Sequence, residues 1–344
     1  MNFRSDNVSG IAPEILAAIA AANSGDAPSY GADPITDRVT RRFAEIFERE
    51  VAVFPLATGT AANALALAAV TPPWGAVYCH EDSHVQTDEC GAPEFYAGGA
   101  KLIALPGADA KLSPALVEAR MVEQGVVHHA QPAAISISQA TEAGTLYAPA
   151  EVAALGALAR RRGMALHMDG ARFANAVAAL GCAPAEITWR AGVDVLSFGA
   201  TKNGALAAEA VIFFDPAKAA DFAYRRKRGG HLFSKMRFLS AQLDASLADD
   251  LWLRNARHAN RVAARLADGL AQVAGARLRY PTQANEVFIE LPEKAIRALA
   301  QAGFGFYRWG GEASLCLRLV TAFDSRLDNA EAFIAVARQH AGPA

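Results

Sequence analysis

Two short apolar runs constrain this chain more than any other feature, because each ends in one residue able to do chemistry. The first is Ala165-Leu166-His167-Met168-Asp169-Gly170-Ala171-Arg172. The second is Val195-Leu196-Ser197-Phe198-Gly199-Ala200-Thr201-Lys202-Asn203-Gly204. Each reads as a buried strand that delivers Asp169 or Lys202 at its carboxyl end. The two residues lie 33 positions apart, the length of one βαβ unit. In an open α/β sheet, ligands sit beyond the carboxyl ends of the strands. Asp169 and Lys202 are therefore expected to project into one crevice. Alone, the Asp would be a turn or helix-capping residue and the Lys a solvated side chain; the meaning lies in the pair.

The rest of the chain fits such a sheet. Short apolar runs at 75–79, 101–105, 133–139 and 209–214 read as strands, and 51–55 as a strand or helix end. Helical patterns at 61–70, 151–162 and 173–180 separate them. This alternation predicts an α/β fold with a mostly parallel central sheet. Leu232, Met236, Leu239, Leu243, Leu247 and Leu251 recur at helical spacing and predict one long helix after Gly229-Gly230. Beyond Asn255 the pattern becomes helix, strand, helix, strand, helix. The expected division is an N-terminal segment (1–25) contributing to the active site, a large domain (26–254) and a small C-terminal α+β domain (255–344).

Composition excludes several classes. Over 344 residues the net charge is -2, so no basic field marks a nucleic-acid surface. The four cysteines are scattered and match neither a disulfide framework nor metal spacing; no metal is expected. The most apolar stretches are too short to span a bilayer, and Met1–Asn7 is polar, unlike a signal peptide. A cytoplasmic protein with a small-molecule substrate is the expectation.

The Asp/Lys pair is what pyridoxal 5'-phosphate (PLP) chemistry needs. A lysine amine forms a Schiff base with the cofactor aldehyde, and a carboxylate keeps the pyridine nitrogen protonated. Thr58, Gly59 and Thr60 open an alanine-rich helix, and backbone N–H groups at a helix start suit a phosphate.

These segments resemble the threonine aldolase family of fold-type-I PLP enzymes. The resemblance rests on Arg4-Ser5-Asp6-Asn7, Ser29-Tyr30-Gly31-Ala32-Asp33-Pro34, Thr58-Gly59-Thr60-x-x-Asn63, His84, His167-x-Asp169-Gly170-Ala171-Arg172, Thr201-Lys202-Asn203-Gly204 and Leu317-Arg318-Leu319-Val320-Thr321. It covers essentially the whole chain, and the Lys202 segment looks like the branch of low-specificity L-threonine and phenylserine aldolases. Asn7 stands where that family has Thr, and Gln139-Ala140-Thr141-Glu142-Ala143-Gly144 departs from its Glu-Asn-Thr-x-x-Gly.

The resemblance implies retro-aldol cleavage of L-β-hydroxy-α-amino acids to glycine and an aldehyde. It implies that His84 stacks on the cofactor ring and leads the candidates for proton handling; His128 and His129 are the others. It assigns the substrate carboxylate to Arg172 and Arg318, with Ser5 helping. Lys235 is a candidate for the phosphate and Tyr30 for the substrate, either one across subunits of a homodimer or homotetramer with shared sites. Competing readings are another fold-type-I reaction (β-elimination or transamination) or a non-catalytic PLP-binding protein. A nucleotide-binding oxidoreductase would need a GxGxxG after its first strand, and there is none.

Overall fold

The computed structural model describes residues 1–341. Seven strands form the larger sheet: β1 (Ala52–Leu56), β2 (Gly75–His80), β3 (Lys101–Leu105), β4 (Gln131–Ser138), β5 (Ala165–Gly170), β6 (Val195–Gly199) and β7 (Glu209–Phe213). Their order is β1-β7-β6-β5-β4-β2-β3. From β3 to β6 all neighbours are parallel. β7 runs antiparallel to both β6 and β1. β2, β6 and β7 are buried along their whole length, as expected of strands covered on both faces by helices.

β5 and β6 pair directly, with Asp169 opposite Ser197 and Gly170 opposite Phe198. Their ends come unusually close. A Cβ on Gly199 would lie 2.7 Å from both Cα and O of Ala171, so only glycine lets the turn after Asp169 pass the end of β6. That approach brings the chain bearing Lys202 to the same cleft as Asp169.

A second, antiparallel sheet holds β8 (Arg277–Leu278), β9 (Glu286–Glu290), β10 (Tyr307–Arg308) and β11 (Cys316–Val320), in the order β10-β11-β9-β8. It has its own core, built from Val287, Ile289, Leu317, Leu319 and Phe333. Phe3 belongs to that core. The N-terminal segment is tied there by Phe3 N–H donating to Gly305 O and Val320 N–H donating to Phe3 O.

The single long helix expected across Leu232–Leu251 is not formed. A helix spans Arg237–Leu247, and another begins at Leu251 and runs to Leu270. Between them Asp249 (φ 49°) and Asp250 (φ 54°) are left-handed. Asp is one of the few side chains that enters that region, because its short polar group bonds locally, and two such residues in succession end the helical ladder. The Leu251–Leu270 helix then serves both cores: Leu251, Trp252 and Ala256 pack under the large sheet, and Val262, Leu266 and Leu270 under the small one.

Candidate active site

A cleft of about 690 Å³ opens where the carboxyl ends of β4, β5 and β6 meet the small sheet. Asp169 and Lys202 both line it. Lys202 sits in a single 3-10 turn, Thr201–Asn203, directly after β6. The turn is anchored from behind: Asn203 Nδ2 donates to Trp252 O at 2.8 Å, and Asn255 Nδ2 donates to Asn203 O at 2.9 Å. Thr201 Oγ1 donates to Glu209 Oε1, and burial pushes the Glu209 carboxyl up to about 7.

Asp169 is buried and oriented by two donors. Ala171 N–H reaches Oδ1 at 2.9 Å, and Asn63 Nδ2 reaches Oδ2 at 2.7 Å. The same Asn63 amide donates to Glu89 Oε1 at 2.8 Å. Beneath the site, His167 is held between the Ser136 and Ser197 hydroxyls at 2.9 and 3.0 Å. Burial pushes it down to about 4, so it is neutral and acts as a fixed spacer.

On one wall the helix Gly59–Val70 points its first turn at the cleft. Thr58 caps it, accepting from Ala61 N–H at 3.2 Å. Ala62 makes the first backbone bond back to Thr58 O, which leaves the Gly59 and Thr60 N–H groups ahead of the ladder. No atom lies within 4 Å of where a Gly59 Cβ would be. Free donors, an open approach and two hydroxyls make an anion cradle.

The opposite wall carries two arginines. Arg172 is bonded to Asp6 twice, Nε to Oδ2 at 2.7 Å and Nη2 to Oδ1 at 3.0 Å. Its Nη1 lies 3.4 Å from Glu286 Oε2. Burial works against the Arg172 charge, but Asp6 and Glu286 outweigh it and hold the guanidinium ionised. Arg318 Nη2 donates to Glu286 Oε1 at 2.6 Å, and its guanidinium lies 6.0 Å from the Trp309 ring centroid. Ser5 lines the cleft beside them.

His84 begins a short helix at the cleft edge. Its Nδ1 lies 2.8 Å from Glu89 Oε1, whose side chain is wholly buried. The hydrogen bond to Glu89 raises the His84 pKa against the opposing effect of burial. The His84 backbone N–H donates to Glu142 Oε1 at 2.9 Å.

The structure thus brings together Lys202, Asp169, Thr58, Gly59, Thr60, His84, Arg172, Arg318 and Ser5. Four expected residues lie elsewhere. His128 and His129 are exposed in the loop before β4, at the amino end of that strand. Parallel β4 and β5 put the cleft at the opposite edge, and neither histidine lines this chain's cleft. Tyr30 is half exposed with Lys227 Nζ over its ring at 5.1 Å, and it does not line this chain's cleft. Lys235 is exposed next to buried Met236, which anchors the turn and sends the lysine outward, away from the Thr58 cradle.

Several site residues escape sequence reasoning. Asp6, Glu89, Glu142, Glu209 and Glu286 all touch the residues above. The available signal was an acid inside or bordering an apolar strand, as in Glu286-Val287-Phe288-Ile289 and Glu209-Ala210-Val211-Ile212.

The donor set fits PLP: an anion cradle, a carboxylate for a ring nitrogen and an amine for an aldehyde line one cleft. Comparison with known proteins agrees. The beta-eliminating lyase family matches residues 2–293. A low-specificity L-threonine aldolase from Pseudomonas aeruginosa is 48% identical over 326 residues, covering 95% of this chain and 94% of that one. The chain belongs to the threonine aldolase family. A second member, from a Pseudomonas species, is 46% identical, with 91% and 92% of the two chains covered. The structure of a Leishmania major threonine aldolase superposes with a TM-score of 0.93 at 29% identity, covering 99% of both chains. The family fold is that of the fold-type-I PLP-dependent enzymes. Among the described residues no group of three or more His, Cys, Asp or Glu side chains is placed to hold a metal ion. Nor is any helix long and apolar enough to cross a membrane.

Proposed function

We propose that the protein is a PLP-dependent aldehyde-lyase that cleaves L-threonine, L-allo-threonine and related β-hydroxy-α-amino acids to glycine and an aldehyde. The observation that carries this reading is the convergence of Lys202, Asp169, the Thr58–Thr60 cradle and two arginines on one cleft. PLP, when bound, supplies an electron sink for the pair released at the substrate Cα.

The protein's own groups do the rest. Thr58, Gly59 and Thr60 hold the phosphate. Asp169, fixed by Asn63 and Ala171, keeps the ring nitrogen protonated. Lys202 Nζ offers the amine that anchors the cofactor and yields to the substrate. Arg172 and Arg318 grip the substrate carboxylate as planar forks, and Ser5 adds a hydroxyl. Their grip would fix how the substrate's bonds at Cα are oriented in the cleft. The β-hydroxyl then meets a wall of titratable groups around His84. The assembly is proposed to be a homodimer or homotetramer in the cytoplasm, with Tyr30 and Lys235 serving a neighbour's site; sizing in solution by light scattering checks the subunit count.

The deciding experiment incubates purified protein and PLP with threonine, allo-threonine and phenylserine. Glycine and the matching aldehyde are the expected products, and a visible absorbance band reports the lysine-bound cofactor. Lys202→Ala should lose both the band and the turnover. Ammonia or a keto acid in place of an aldehyde would overturn the reading in favour of elimination or transamination.

A further inference from the structure

Cleaving the Cα–Cβ bond of a β-hydroxy amino acid requires a base for the β-hydroxyl proton, and His84 meets two carboxylates, Glu89 and Glu142, at the edge of the cleft. Its Nδ1 is tied to Glu89 at 2.8 Å, and that hydrogen bond raises its pKa against the opposing effect of burial. Glu89 does not line the cleft: its side chain is wholly buried behind His84 and Asn63, and both donate to its Oε1.

Glu142 differs. It lines the cleft, and its Oε1 accepts from Ser138 Oγ at 2.7 Å and from His84 N–H at 2.9 Å. Its Oε2 is shielded from solvent and has no partner, although a buried carboxylate oxygen ordinarily finds a donor. Ser138 is the last residue of β4, pairs with Asp169 across the sheet and also lines the cleft. The Ser138 hydroxyl proton points at Glu142, so its oxygen lone pairs remain for a donor on the cleft side.

We propose that Ser138 and Glu142 form a proton relay that takes the β-hydroxyl proton: the substrate hydroxyl donates to Ser138 Oγ, which passes its own proton to Glu142. This deepens the aldolase reading and rests on it. The atoms balance. The β-oxygen loses a proton and becomes the aldehyde oxygen, and the electron pair of the broken bond stays on Cα. Cα takes a proton to give glycine, and Glu142 returns its own to solvent.

The surroundings suit the task. Burial, followed by the charge of Asp169, pushes Glu142 up to about 7, close to working pH, where a base is most effective. The other titratable groups that face it are His84, Cys79 on β2, Tyr147 and Arg172. Glu142 must be ionised to accept, so cleavage falls as pH drops below about 7.

The test compares wild type with E142Q, E142D and S138A. E142Q and S138A should cleave threonine about 100-fold more slowly, within the range of general acid–base contributions, with KM changed far less than kcat. E142D should recover part of the rate, and E142Q should lose the acid limb near neutrality. Exchange of the glycine α-proton with deuterated solvent uses the same bound cofactor but no β-hydroxyl. It should survive in both slow variants, whereas damage to the fold would abolish it too. In cofactor-free protein, difference infrared spectroscopy should show a carboxyl titrating near neutrality that E142Q lacks. Wild type releasing glycine while E142Q keeps the full rate and the same acid limb would overturn the relay alone. Wild type producing no glycine would overturn the aldolase reading and the relay with it.

Discussion

Arg172 and Asp6 form a two-pronged ion pair, with Nε–Oδ2 at 2.7 Å and Nη2–Oδ1 at 3.0 Å, between residues 166 positions apart in sequence. Both side chains are buried. The pair binds the N-terminal segment to the turn after β5, and its Arg172 also lines the cleft.

Removing one partner of a buried pair leaves an uncompensated charge. Asp6→Asn should destabilise the protein by about 3 kcal/mol, the lower end of the usual cost, because Glu286 still faces Arg172. Urea unfolding measures it. The pH dependence follows from the depressed Asp6 pKa: burial raises it, but the charges of Arg172 and Lys202 and the hydrogen bonds from Arg172 and Asn285 together outweigh burial and hold it below the ordinary 3.8. A depressed acid contributes stability above its unfolded pKa and loses it as pH falls through the folded one. Wild type should therefore lose stability below about pH 4, and Asp6→Asn should lose less over that window.

The raised His84 pKa rests first on its hydrogen bond to Glu89. Glu89→Gln keeps the shape and removes the charge. The His84 titration midpoint, followed by NMR of the imidazole, should fall towards 6.5 or below it, since burial then acts with less opposition. An unchanged midpoint would show that Glu89 does not set the protonation of His84.

Arg318 is proposed to bind the substrate carboxylate. Arg318→Ala should lower kcat/KM for threonine roughly 10- to 150-fold, from about 1.5–3 kcal/mol per charge-assisted bond. Most of the loss should fall on KM, while the cofactor absorbance stays. Arg318→Lys should recover little, because a point charge cannot reproduce the fork.

Gly144 is left-handed (φ 72°), and a Cβ there would come within 2.9 Å of the Glu286 Cβ. Gly144→Ala should cost about 1–3 kcal/mol of backbone strain and push against the strand that carries Glu286. Because Glu286 bridges Arg172 and Arg318, KM for threonine should rise together with the loss of thermal stability. A variant with lowered Tm and unchanged KM would show that Glu286 tolerates the shift.

The residues legible from sequence are those whose place is set by one local element. Asp169 and Lys202 sit just where buried strands end, and an apolar run followed by glycine marks that end without any long-range information. Thr58 was legible because a threonine before an alanine-rich helix has one ordinary geometry. Arg318 was placed by alternation along β11, with Leu317 and Leu319 turned inward. His128 and His129 fall outside this chain's cleft, because adjacency to a strand does not tell which end faces it. Tyr30 and Lys235 lie outside this chain's cleft, and nothing local in the sequence reveals whether such residues serve their own subunit or a neighbour.

By itself the sequence determined the layered α/β fold and the two strand-end groups, Asp169 and Lys202, that share one cleft. These follow from periodicity and chain direction, which neighbouring residues dictate. Only the tertiary structure decided the acids. Asp6, Glu89, Glu142 and Glu286 come from distant segments, and what each does depends on which cation or hydroxyl it meets once buried. Charge in a low-dielectric interior is governed by distance, and those distances exist only after the chain has closed on itself.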